Sequence, residues 1–171
     1  MMSKKDQLDV LEILQSQHLE VDELIEQLES GDGDRVALFE DLADKLAAHA
    51  TCEEKIFYPG VMEKDSSDLL HEAVEEHLAV KRLLNDMLEL DPNDDDDEFE
   101  AKLTVLKEMV SMHAHQDEEG KLFPIVRTLR SDDELAALGN EYLAMFESII
   151  TEEPRNEVGE QIEQPAPLPS I

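Results

Sequence analysis

The sequence predicts an all-α protein: an up-down-up-down four-helix bundle with a short fifth C-terminal helix and a flexible tail. Three observations carry this. Apolar residues recur at spacings of three, four or seven along nearly the whole chain. No strand-like alternation of useful length interrupts them. The helical stretches are long and joined by short polar segments, which makes consecutive helices antiparallel neighbours.

The first helix carries Leu8, Leu11, Leu14, Val21, Ile25 and Leu28 on one stripe, and His18 lies on that stripe too. Ser30-Gly31-Asp32-Gly33 ends it. A second helix runs through Val36, Phe39, Leu42 and Leu46 to His49, Glu53 and Ile56, with Pro59-Gly60 expected to kink or end it. After the turn at Asp65-Ser66-Ser67-Asp68, a third helix carries Leu70, Val74, His77, Val80, Leu84 and Met87. Asp91-Pro92-Asn93 and the four aspartates after it form a polar loop. They lack the glycine and terminal glutamate of a calcium-binding EF-hand loop. A fourth helix is expected from about Glu98 to Leu129. Ser131 and Glu134 make a capping box for a fifth, with Leu135, Leu138, Tyr142 and Phe146 on its apolar face. These elements make one domain over residues 1–150. Residues 151–171, acidic and Pro-containing, read as a flexible tail or one that docks elsewhere.

Acids number 44 and bases 14 in 171 residues, a formal charge of −30. This opposes docking on nucleic acid or anionic lipid. Self-repulsion of this size is relieved by salt, which points to a salt-rich cytoplasm, the alternative being an ordinary acidic protein. No apolar run approaches the ~20 residues of a membrane span, and the N-terminus lacks the apolar stretch of a signal peptide. One cysteine, Cys52, allows no intrachain disulfide and reads as a packing residue. A cytoplasmic protein is the expectation.

The two halves of the chain repeat. His18-Leu19-Glu20-Val21 matches His77-Leu78-Ala79-Val80, and Glu53-Glu54-Lys55-Ile56-Phe57-Tyr58-Pro59 matches Glu118-Glu119-Gly120-Lys121-Leu122-Phe123-Pro124. Histidine and glutamate four residues apart share a helix face, as in His49/Glu53 and His115/Glu119. His18, His49, Glu53 and His77 all stand where core residues belong. A carboxylate there needs a cation or full hydrogen bonding. Imidazole and carboxylate without thiolate suit iron, manganese or zinc, and bridging carboxylates favour two ions.

On helix four the register is open. His49 and Glu53 lie ten and six residues before Pro59, whereas Ala114 and Glu118 hold those places before Pro124, with His113 and His115 on either side. The stripe Val105, Met109, Met112, His115, Glu119, Leu122 is preferred over Leu103, Leu106, Val110, His113, Asp117, because it continues into apolar Leu122 and Val126. A local bulge in the helix would reconcile the registers.

His18, the His49/Glu53 pair before Phe57-Tyr58-Pro59, His77 preceded by Glu76, and the Glu118–Pro124 segment resemble the hemerythrin-like (HHE cation-binding) domain family over residues 6–150. The resemblance implies a non-heme di-iron centre, oxo- or hydroxo-bridged. Its ligands would be His18, His49, His77 and His115, with Glu53 and Glu119 bridging. His113 and Glu118 are the alternates on helix four. Zinc or manganese could replace iron. It further implies binding or sensing of O₂, NO or a related small ligand, or iron handling. The alternatives are a di-iron enzyme reducing peroxide or nitric oxide, and an iron-responsive module read by a partner protein.

Overall fold

The computed structural model describes residues 7–94 and 96–171. The N-terminal Met1–Asp6, and Asp95 in the acidic loop, lie outside the described residues. Among the described residues seven α-helices follow one another: α1 Val10–Ser30, α2 Arg35–Cys52, α3 Tyr58–Val61, α4 Ser67–Leu88, α5 Asp96–Ser111, α6 Phe123–Leu129 and α7 Asp132–Ile150. A π-helical turn, Glu53–Phe57, joins α2 to α3, and a longer π-helical segment, Met112–Leu122, joins α5 to α6. A 3-10 helix follows at Pro154–Gln161. The four rods of the expected bundle are therefore α1, α2–α3, α4 and α5–α6.

Local chemistry fixes the ends of these rods. Asp9 caps α1, its side chain accepting from Glu12 N while Glu12 reaches back, and Gly31 closes it at φ 74°, a conformation glycine adopts freely. Ser131 and Glu134 form the expected capping box on α7. Contacts between residues far apart in sequence fit the antiparallel order. Arg127 of α6 meets Asp9 at 3.0 Å, and Arg35 of α2 donates to Pro92 O at 3.0 Å.

The prolines account for the π-helical turns. Pro59 and Pro124 cannot donate an N–H, and their rings crowd the carbonyl four residues back. The ladder opens by one residue instead. Tyr58 N donates to Glu53 O and Phe123 N to Glu118 O, both across five residues.

One part differs from the sequence expectation, and the tail takes the docked of its two expected states. Helix α7 is 19 residues long rather than short, and packs on α1 and α2. Its Gly139 comes so close to α1 that a Cβ there would lie 3.1 Å from Leu8 O and Val10 N. The tail is ordered at Pro154–Gln161, where it packs against α2 and α4 with Val158 buried. Arg155 holds it to Asp44 at 2.6 Å, and Arg82 Nε donates to Ile162 O at 2.9 Å.

The apolar core is split. One cluster gathers Leu11, Leu14, Phe57, Leu70, Phe123 and Tyr142. The other gathers Val21, Ile25, Leu42, Leu84, Phe99 and Leu106. Between them, at one level of all four rods, lies a layer of buried polar side chains: His18, His49, Glu53, His77, His113 and Glu118.

Candidate metal centre

Each rod contributes to this layer from its apolar stripe. His18 follows Leu14 on α1, and His77 follows Val74 on α4. His49 lies in the last turn of α2 and Glu53 opens the first π-helical turn, while His113 and Glu118 sit in the second π-helical segment. Their donor atoms form two clusters that share both glutamates. One holds His18, His49, Glu53 and Glu118; the other holds Glu53, His77, His113 and Glu118.

The carboxylate oxygens divide between the clusters. Glu53 turns Oε1 to His49 Nε2 at 3.2 Å and Oε2 to His77 Nε2 at 3.0 Å. Glu118 turns Oε2 to His18 Nε2 at 3.5 Å and Oε1 to His113 Nε2 at 2.7 Å. Each carboxylate thus spans both clusters with one oxygen apiece.

The outer nitrogens are all held. His18 Nδ1 donates to Glu119 Oε1 at 2.7 Å, His77 Nδ1 to Glu54 Oε1 at 2.9 Å and His49 Nδ1 to Gln17 Oε1 at 2.7 Å; His113 Nδ1 donates to Glu76 Oε2. With Nδ1 donating outward, Nε2 is the nitrogen that would present its lone pair inward once unprotonated, the tautomer a metal needs. The pattern obeys the repeat. Gln17-His18 on α1 corresponds to Glu76-His77 on α4, and Glu53-Glu54 corresponds to Glu118-Glu119. In each pair one residue faces the layer and its neighbour holds a histidine of another rod.

The first cluster is incompletely satisfied. His18 Nε2, Glu53 Oε1 and Glu118 Oε2 are buried without a hydrogen-bond partner, although His49 Nε2 lies near Glu53 Oε1 in poor geometry. Each such atom costs about 1–3 kcal/mol. All three belong to one four-atom cluster, so a cation among them would satisfy them together. The residues fit a metal.

Charge gives the same answer. Burial opposes ionisation of Glu53, but His49, His113 and His77 hold its carboxyl well below the usual range. Burial likewise opposes protonation of His18, yet Glu118, Glu53 and Glu119 carry it up to about 9. His113 is driven well above its ordinary value against its burial, chiefly by Glu118. Two carboxylates in this layer demand positive charge, which imidazolium supplies in metal-free protein and a metal pair would supply in its place.

One hydroxyl breaks the symmetry. Tyr58 Oη lies 2.7 Å from Glu118 Oε1, 3.2 Å from Glu53 Oε2 and 3.1 Å from His77 Nε2, all donors of the second cluster. Burial, then Glu118 and Glu53, pushes its pKa well up, so it keeps its proton. The repeat puts Phe123 in the matching place.

Sequence reasoning and structure diverge on helix four. The preferred stripe is not the buried one, for Val105 and Met112 are exposed at 47% and 45%, while Leu103, Leu106, Val110 and His113 are buried. The structure brings His113 and Glu118 into the layer and sets His115 and Glu119 outside it, half-buried. The π-helical segment is the reason. His113 and Glu118 are five residues apart, and a helix bonded across five residues places them on one face as four does in α2. The orienting Gln17, Glu54 and Glu76 were not singled out as site residues, though the repeated adjacency of a polar residue to each site residue was their signal. His71 is exposed, bonded to Ser67 O at 2.8 Å, and Cys52 is buried beside Glu53 with its thiol pushed up to about 12, an inert packing residue.

Comparison with known proteins identifies the family and the fold. Residues 9–126 match the Hemerythrin HHE cation binding domain family. A DNA nickase of Nostoc sp. is 27% identical over 144 residues, covering 83% of this chain but only 40% of that protein, so the chain spans about two fifths of its length. The crystal structure of a hemerythrin HHE cation binding domain-containing protein from Mycobacterium kansasii shares the fold, with TM-score 0.73 and 23% identity over 85% of this chain and 89% of that one. The family match includes every residue of the buried layer, and the chain belongs to the hemerythrin HHE cation-binding domain family.

Proposed function

We propose that the buried layer holds two iron ions, one per cluster, and that the centre binds or senses O₂, NO or a similarly small ligand. The observation that carries this is the division of oxygens: Glu53 and Glu118 each give one to either cluster, with two imidazoles completing each. His18 and His49 would hold one ion and His77 and His113 the other, in place of His115 and Glu119. A donor set of imidazole and carboxylate suits iron, with manganese and zinc the competitors. When bound, the ion pair supplies redox-active metal with coordination open to a ligand.

The chain's own residues set what reaches it. A cavity of about 40 Å³ touches all four histidines and is walled by Val21, Leu46, Ala47, Val80, Leu84 and Val110, with Val158 of the tail among its lining. On this measure one water needs about 10–15 Å³, so the cavity has room for a diatomic molecule. Apart from the histidines, Lys81 is the polar residue of the lining, and its Nζ is bound to both oxygens of Glu54 at 2.8 and 3.0 Å. An apolar cavity with its ammonium so engaged favours ligand binding over reduction of peroxide or nitric oxide, which consumes protons. Tyr58, behind the carboxylates, holds a proton at Oη between Glu53 and Glu118.

No helix among the described residues is long and apolar enough to cross a membrane. The charge of −30 opposes contact with a phosphate backbone, so the activity named for the longer Nostoc protein is not carried to this chain. The same charge supports a salt-rich cytoplasm as its setting.

The test is metal content with a visible spectrum, on protein purified in molar salt after iron-replete expression. About two irons per chain, with iron charge-transfer absorption that responds to NO, is the expected result. One zinc, or no metal, would overturn it.

A further inference from the structure

His115 and Glu119, set outside the buried layer, form a cluster of their own. Glu119 Oε1 lies 2.7 Å from His18 Nδ1 and 3.2 Å from His115 Nδ1, and His115 Nε2 lies 2.8 Å from Asp22 Oδ2. The donor atoms of His18, His115 and Glu119 lie within 4.8 Å of one another, close enough to hold one metal ion. Exposure falls along the series, from 35% at Asp22 and 32% at His115 through 25% at Glu119 to 4% at His18. His18 belongs to both clusters, through Nδ1 to the outer and through Nε2 to the inner.

The repeat supplies an independent comparison. On the other half, the residue four after His77 is Lys81, where Asp22 follows His18. The residue two after His49 is Thr51, where His115 follows His113. Lys81 is buried against Glu54, so that flank presents an ammonium instead of an open ligand set. A cation is repelled there and attracted at Asp22. The overall negative charge raises cation concentration at the surface.

We propose that Asp22, His115 and Glu119, with His18 Nδ1, form an outer capture site for a divalent transition-metal ion, and that the buried centre is loaded through it. The ion is held at the surface by His115 and Glu119. The His18 imidazolium would release its Nδ1 proton to solvent as that nitrogen takes the ion; on transfer inward Nε2 would lose its proton and bind instead, while Nδ1 regains one from solvent and again donates to Glu119. The proposal rests on the buried layer being a metal centre, and the two are separable by measurement.

The experiment uses full-length, chelator-stripped protein and cobalt(II), a redox-quiet probe whose visible bands report imidazole ligation. Wild-type protein is expected to fill to two ions per chain. His115→Ala is expected to reach the same final count about tenfold more slowly, the scale of a lost steering and capture step. Asp22→Asn should slow loading less. Circular dichroism of each stripped variant checks that it is folded. Equal loading rates in wild type and His115→Ala would overturn the capture site, as would a final count below two in His115→Ala, which would make His115 a permanent ligand. A wild-type count of zero would instead overturn the metal centre itself.

Discussion

Glu119 holds His18 from across the bundle, its Oε1 accepting from Nδ1 at 2.7 Å. Glu54 does the same for His77 at 2.9 Å. In each consecutive glutamate pair one carboxylate faces both clusters and the next fixes a histidine on another rod. The register of one residue therefore separates a ligand from the group that aims it.

That register is directly testable. His113→Ala should lose most of the bound iron, because it removes a donor of the second cluster. His115→Ala should keep it at equilibrium. Iron per chain after dialysis against a weak chelator decides between them, and the reverse pattern would restore the stripe read from the sequence.

The aiming groups should matter less than the ligands, and unequally. Glu76→Ala frees His113 Nδ1 and is expected to weaken iron binding about 10- to 100-fold with the fold intact. Glu54→Ala frees His77 Nδ1 and also strands the buried Lys81, a loss of about 3–5 kcal/mol. Chemical denaturation of the stripped variants separates the two, and equal stabilities would show that Lys81 finds another partner.

Metal-free and loaded protein should respond to pH in opposite senses. Glu118, Glu53 and Glu119 raise His18 from 6.5 to about 9 in the folded protein, against its burial, and His77 and His113 are raised too. Their stabilisation is full below pH 6.5 and fades as pH rises through about 9. Glu53 and Glu118 are lowered from 4.5, so theirs is present above pH 4.5 and is lost on acidification. Stripped protein should be most stable between these limits. Bound metal requires unprotonated imidazole, so its contribution to Tm grows with pH. Thermal melts with and without chelator from pH 5 to 9 test this, and parallel curves would count against it.

Salt should stabilise the whole molecule. At a charge of −30 the repulsion between surface carboxylates reaches about 10 Å at 0.1 M salt and about 3 Å at 1 M. Melts in potassium chloride should show Tm rising across that range. A flat response would mean that local pairs such as Lys107–Glu29 and Arg155–Asp44 already balance the surface.

The sequence by itself determined the rods, their polar breaks and the internal repeat, because helical periodicity and capping are local. It also exposed His18, His49, Glu53 and His77 as polar residues on apolar stripes, since a helix face can be counted from spacing alone. It could not determine the face of the fourth rod. There the spacing rule assumes bonding across four residues, and the widened turns before Pro124 break that assumption. Only the tertiary structure decided that His113 and Glu118 face inward, that Gln17, Glu54, Glu76 and Glu119 fix the imidazoles, and that Val158 of the tail covers the cavity. Each of these is a contact between rods, and such contacts depend on how the rods are rotated and packed against one another.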